Sequence, residues 1–244
     1  MKLKKSILHT MLIGSLLVSL PMTTLAKENK QVDYVALGDS LAAGATPYRA
    51  LDKGYVDFLV DRYEQSQYEI TVDNYGFPGY KTTNIVNELF DPSNIKYGSL
   101  RESIKNAELV TIDIGANDLL ANLHNIKQNP SSAPGVLTTI AENLYLILSE
   151  IDKINPGIKV YVMGYYNPFP HLPKQEQAAL LPLLDALNQT IEKVASANGD
   201  EFVPTAKVIK KYETVYVPNP DDIHLSLEGY KAVAKEFWKA IQEE

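Results

Sequence analysis

Ser40 closes an apolar run of strand length, Val32-Asp33-Tyr34-Val35-Ala36-Leu37, which breaks into Gly38-Asp39-Ser40 and then a cluster of very small residues. A buried strand that delivers a serine hydroxyl into open space can present a nucleophile; taken alone, the same string also describes a strand ending in an ordinary turn. A serine nucleophile needs a base, the base needs an orienting acid, and the tetrahedral oxyanion needs fixed N–H donors. His224 follows Asp221 by three residues immediately before a helix, a spacing at which an irregular turn can fold the carboxylate back onto its own histidine; the adjacent Asp222 is an alternative partner. Gly79 ends the turn-rich stretch Asn74-Tyr75-Gly76-Phe77-Pro78-Gly79, and without a side chain it lets a substrate approach its amide. Asn117, in Gly115-Ala116-Asn117-Asp118, offers a side-chain amide; a turn or helix-capping role is its other reading.

These residues are spread over the whole chain, so a scaffold must gather them. Apolar or alternating runs predict strands at 32–37, 68–75, 109–114 and 159–164, with a short fifth at Phe202-Val203. Helical spacing predicts helices over 54–64, from Thr82 or Thr83 to Asp91-Pro92, over 99–106, and along Val136, Ile140, Leu144, Ile147 and Ile151. A long helix through Leu184, Leu187 and Ile191, with Pro182 near its start or kinking it, and a final helix capped by Ser226 complete the series. His124 reads as part of a short polar segment. Strands alternating with helices imply an α/β fold, a three-layer α/β/α sandwich with a central parallel sheet of about five strands. Ligands of such sheets bind beyond the carboxyl ends of the strands, where Ser40, Gly79 and Asn117 all fall.

The first residues carry Lys2, Lys4 and Lys5, an apolar stretch from Met11 to Leu20, and Thr24-Leu25-Ala26 before Lys27-Glu28. That is the pattern of a secretory signal peptide over residues 1–26, leaving 27–244 as one secreted domain; an uncleaved copy would be a membrane tether. Cleavage removes three lysines and no acid, so the formal charge falls from −7 to −10, which argues against nucleic acid or an anionic surface as partner. With no cysteine, disulfides, thiolate nucleophiles and cysteine metal ligands are all excluded.

Gly38-Asp39-Ser40-Leu41, Asn74 to Gly79, Gly115-Ala116-Asn117-Asp118 and Asp221-Asp222-Ile223-His224 stand in the order of the sequence blocks of the GDSL (SGNH) hydrolases, and the chain resembles that family from about Val32 to Trp238. The resemblance implies a flavodoxin-like fold, Ser40 as nucleophile, His224 as base, Asp221 as its partner by the family's three-residue spacing, and an oxyanion hole of Ser40, Gly79 and Asn117. It also implies acyl transfer through an acyl-enzyme, with no metal or organic cofactor. One departure is Leu225-Ser226 after the histidine, where many relatives carry proline followed by asparagine or a hydroxyl residue. Tyr165, Tyr166 and Phe169, in a loop with Pro168, Pro170 and Pro173, either line an acyl groove or cap the sheet. A small-molecule or lipid ester is the expected substrate, and no long hydrophobic lid is visible. Two rival readings stay open: a catalytically idle cell-wall or carbohydrate-binding domain, and a metal-dependent phosphoesterase using Asp39, Asp113, Asn117, Asp118, Asp221 and His224.

Overall fold

The computed structural model describes residues 30–243; the predicted signal peptide lies outside them. Five strands, β1 (Lys30–Gly38), β2 (Tyr68–Asn74), β3 (Leu109–Asp113), β4 (Lys159–Gly164) and β5 (Glu201–Pro204), form one sheet in the order β2-β1-β3-β4-β5, every pair parallel. The connections leave β1 toward one edge and β3 toward the other, so the crevice between their carboxyl ends is the topological switch point where α/β sheets place ligands. β3 and β4 are buried almost throughout, as expected of parallel strands covered on both faces.

Helices α1 (Tyr55–Gln65), α2 (Thr82–Phe90), α3 (Tyr97–Asn106), α4 (Ala116–Gln128), α5 (Ala133–Ile154), α6 (Lys174–Asn198), α7 (Ala206–Lys210), α8 (Glu213–Tyr216) and α9 (Leu227–Glu243) complete the chain. α1 packs on α9, where the rings of Tyr55 and Phe237 stack with centroids 4.8 Å apart and planes 9° from parallel. α5 packs against α2 and α6, burying the predicted stripe Ile140, Leu144, Ile147, Leu148 and Ile151. Full burial of such a side chain contributes about 1.5–3 kcal/mol, so this one stripe holds α5 on the sheet. The buried apolar side chains join in one cluster.

Three elements differ from the sequence expectation. His124 stands in α4, not in a short polar segment, because Leu119 and Ile126 bury on one face of a helix in which three asparagines, an aspartate and the histidine weaken the helical signal. α6 begins at Lys174, so Pro182 lies inside it, at an exposed position. α7 and α8 are short additions leading to the histidine.

Asp200, joining α6 to β5, is half-buried and accepts from Asn198 Nδ2 at 3.0 Å. Burial raises its pKa to about 6, the Asp152 charge adding and the Asn198 amide opposing. An unfolded chain holds an aspartate near about 3.9, so ionisation of Asp200 burdens the fold above its folded pKa and the burden vanishes below the unfolded one. Asp200→Asn keeps an acceptor for Asn198; it is expected to stabilise the protein at about pH 8 by on the order of 1 kcal/mol, after solvent screening, and to lose that advantage near pH 4. Urea unfolding at the two pH values checks this; an equal effect at both would contradict it.

Candidate active site

β1 and β3 end side by side with Gly38 opposite Asp113. A side chain at Gly38 would put its Cβ 2.3 Å from Asp113 Oδ1, so only glycine admits this carboxyl between the strands. Asp113 is fully buried and accepts from the Tyr55 hydroxyl at 2.7 Å and from the N–H groups of Asp39 and Ala42 at 3.2 and 3.3 Å. Asp39, also buried, accepts from Leu41 N–H and from the Tyr165 hydroxyl, each at 3.0 Å. The two residues are also tied through the backbone, Asp39 N–H donating to the Asp113 carbonyl at 3.0 Å. Burial raises both pKa values, and the Asp39 charge adds to the rise at Asp113, holding it well above the usual carboxylate range. On this base sits Ser40, whose Oγ donates to Asp39 Oδ1 at 3.4 Å and whose carbonyl accepts from Ala45 N–H at 2.8 Å as the chain turns into α1.

The loop after β2 is bonded to the serine turn. Asn74 Nδ2 donates to the Ala42 carbonyl at 2.7 Å, and Phe77 N–H donates to the Gly38 carbonyl at 3.2 Å. Phe77-Pro78-Gly79-Tyr80 then closes with Tyr80 N–H on the Phe77 carbonyl at 3.1 Å. Proline at the second position and glycine at φ +84° at the third are the marks of a type II turn, so Gly79 is required by the backbone. Asn117, in the first turn of α4, donates from Nδ2 to the Tyr80 carbonyl at 2.9 Å. An amide nitrogen has two hydrogens, and this bond uses one. Asp118 accepts from Thr82 N–H at 3.0 Å and from its hydroxyl at 2.7 Å, joining the starts of α2 and α4.

His224 is oriented by Asp222, and the expectation for Asp221 is corrected. Asp222 Oδ1 accepts from His224 N–H at 2.9 Å and lies 2.6 Å from Nδ1, so one carboxylate oxygen fixes both the backbone and the ring. The cause is the turn Asn219-Pro220-Asp221-Asp222, closed by Asp222 N–H on the Asn219 carbonyl at 3.2 Å. Asp221 occupies the exposed corner of that turn, whereas Asp222 emerges from it facing the ring. The Tyr166 hydroxyl donates to the Ile223 carbonyl at 2.9 Å, Asn219 Nδ2 donates to the Pro47 carbonyl at 2.7 Å, and Ser226 Oγ accepts from Gly229 N–H at 3.3 Å as the cap of α9.

Ser40, Asn117 and His224 line one cleft of about 760 Å³, open solvent included. Its wall is leucine from α4 (Leu119, Leu120, Leu123) and α6 (Leu180, Leu181, Leu183, Leu184, Leu187), with Tyr165, Tyr166 and Phe169 beside them. Gly79 is not part of that wall; it stands on the turn bonded to the end of β1. Among the described residues, no three His, Asp or Glu side chains are grouped to hold a metal ion; Asp113, Asp118 and Asp222 have the partners given above.

A family model described as GDSL-like Lipase/Acylhydrolase matches residues 36–232. The chain belongs to that family. The Bacillus subtilis protein YpmR is 26% identical over 227 residues, covering 89% of this chain and 84% of its own length. The spore germination lipase LipC of Bacillus licheniformis is 25% identical over 216 residues, covering 84% and 94%. The crystal structure of the lipase Lip_vut3 from a goat rumen metagenome superposes with a TM-score of 0.71 at 25% identity, covering 87% of this chain and 97% of that one.

For this GDSL-like hydrolase, sequence reasoning brought Ser40, Asn117 and His224 to one cleft and missed the leucines of α4 and the role of Asp113. The spacing of Leu119, Leu123 and Ile126 was the available signal for the former. Asp113→Ala would strand the buried Ala42 N–H, leave the Tyr55 hydroxyl only the longer contact to Thr111 Oγ1 at 3.3 Å, and remove the carboxyl that links β3 to the serine turn. It is expected to lower stability by on the order of 3 kcal/mol, read by urea unfolding; a loss under about 1 kcal/mol would show that the pair does not hold the turn.

Proposed function

We propose that this chain is a serine esterase that cleaves carboxylic esters through an acyl-enzyme on Ser40, with His224 as general base and Asp222 as its orienter. The observation that carries this reading is that His224, bonded to Asp222, lines the same cleft as a serine held at a strand end. Asp222 on Nδ1 leaves Nε2 to take the Ser40 proton and return it to the leaving alcohol, and the carboxylate stabilises the imidazolium formed in between. As the carbonyl oxygen gains charge, the amides of Ser40 and Gly79 and the spare Asn117 Nδ2 hydrogen act as its donors. Water then deacylates the serine by the same base.

The leucine wall supports an aliphatic acyl group as the part of the substrate that enters the cleft, with Tyr165, Tyr166 and Phe169 along its side. Each buried methylene is worth about 0.8 kcal/mol, roughly fourfold in kcat/KM if realised in the transition state. Export by residues 1–26 is part of the same proposal, supported by the lysines, apolar core and Ala26 of that segment.

Ser40→Ala is expected to abolish p-nitrophenyl ester hydrolysis with an unchanged melting temperature, and near-normal turnover would refute the nucleophile. Asn117→Ala is expected to lower kcat by on the order of a hundredfold; a change below about twofold would leave Asn117 only the turn role. Along an acyl series from acetate upward, kcat/KM is expected to climb with chain length, and a series that falls from acetate would contradict the acyl assignment.

A further inference from the structure

The turn that carries Gly79 has little apolar anchorage: Phe77 is 54% exposed, and Pro78 and Gly79 are exposed as well. Its backbone is bonded to Gly38, and a cation holds its side chains. Lys96, in the connection between α2 and α3, brings Nζ to 2.8 Å from Glu88 Oε1 and donates to the Tyr80 hydroxyl at 3.0 Å. The Tyr80 hydroxyl in turn donates to the same Glu88 oxygen at 2.5 Å. The ammonium also lies over two rings, 4.8 Å from the centroid of Tyr80 and 5.7 Å from that of Phe77, which pack on each other at 4.9 Å. Phe77 and Tyr80 are the first and last residues of the type II turn, so one charge grips it at both ends.

Glu88 is buried, and among the described residues Lys96 is the cation that meets it. Burial pulls the Lys96 pKa down, but Glu88 and Tyr80 outweigh it and the net shift is upward, so the ammonium stays charged. A half-buried cation shared among a carboxylate, a phenol and two ring faces is charge-assisted at every contact. The backbone of Lys96 is itself fixed, its N–H on Asn94 Oδ1 at 2.9 Å and its carbonyl accepting from Leu100 N–H at 2.8 Å.

We infer that Lys96, acting with Glu88, is a positioning residue for the oxyanion donors. By holding Phe77 and Tyr80 it fixes the Gly79 amide between them, and through the Tyr80 carbonyl that accepts from Asn117 Nδ2 it aims the second donor. The inference rests on the assignment of Ser40 as nucleophile and of Gly79 and Asn117 as donors. It predicts coupling: removing the Lys96 charge weakens catalysis through donors that are otherwise intact.

The test is a double-mutant cycle on the full chain, with ester turnover and melting temperature read for each variant. Lys96→Met is expected to lower kcat about tenfold with KM within about twofold, and to cost less than about threefold when Asn117 is already alanine, because a donor it aims is gone. A purely structural role would give equal losses in both backgrounds, or a raised KM at unchanged kcat, and either would overturn the inference. Should Lys96→Met fail to fold with Glu88 left unpaired, Tyr80→Phe removes the hydroxyl's bonds to Lys96 and Glu88 while keeping the ion pair and the ring contacts, and its cycle with Asn117→Ala, with a smaller loss expected, is read for the same non-additivity. Full activity in Ser40→Ala would bring down the underlying mechanism; Ser40-dependent activity with an additive cycle would bring down only the role of Lys96.

Discussion

Two carboxyls, Asp39 and Asp113, buried together at adjacent strand ends underlie the geometry of the cleft. Burial raises the pKa of both, and the Asp39 charge adds to the rise at Asp113, so each carboxyl must be met by donors. Those donors are the Leu41 amide and the hydroxyls of Tyr165 and Ser40 on Asp39, and the Tyr55 hydroxyl and two amides on Asp113. β1, β3, α1 and the exit of β4 therefore converge on one point directly beneath Ser40. The apolar sheet and the helices packed on it position that point, and the carboxyl pair converts their rigidity into a fixed serine turn.

Around it, loops with little apolar burial are held by polar contacts. Gly79 is set by a turn bonded to Gly38, Asn117 by the Tyr80 carbonyl, and His224 by an aspartate that grips its backbone and ring together. The opposite side of the cleft is built of leucine from two helices. On the proposed reading, this polar rim with prescribed hydrogen bonds and the apolar wall facing it divide the two tasks of ester hydrolysis, stabilising charge at the carbonyl and sheltering the acyl chain.

Much of this was legible in the sequence where the cause is local. Strand periodicity, the stripe of α5, the Pro78-Gly79 turn and the Ser226 cap follow from residue types a few positions apart. The partner of His224 was not read correctly, because counting residues back from the histidine ignores the Asn219-Pro220 turn that swings Asp221 outward. Asp113 was legible as an acid in a buried strand but not as a partner of Asp39, since their meeting depends on strand register across 74 positions. α4 was hidden by asparagines and a glycine that suit a turn; burial of its leucine face overrides that preference. Tyr165 and Tyr166 do line the cleft, yet their hydroxyls serve Asp39 and the Ile223 carbonyl, contacts made across the fold.

The choice of Asp222 over Asp221 is where geometry and spacing disagree, and the rate of covalent labelling of Ser40 by a fluorophosphonate separates them. With adduct formation followed by mass spectrometry of the Ser40 peptide, Asp222→Ala is expected to slow labelling by on the order of a thousandfold or more, and Asp221→Ala to leave it near the unmodified rate. Slowing by Asp221→Ala with little effect of Asp222→Ala, or an adduct on a residue other than Ser40, would contradict the arrangement of nucleophile, base and acid described above.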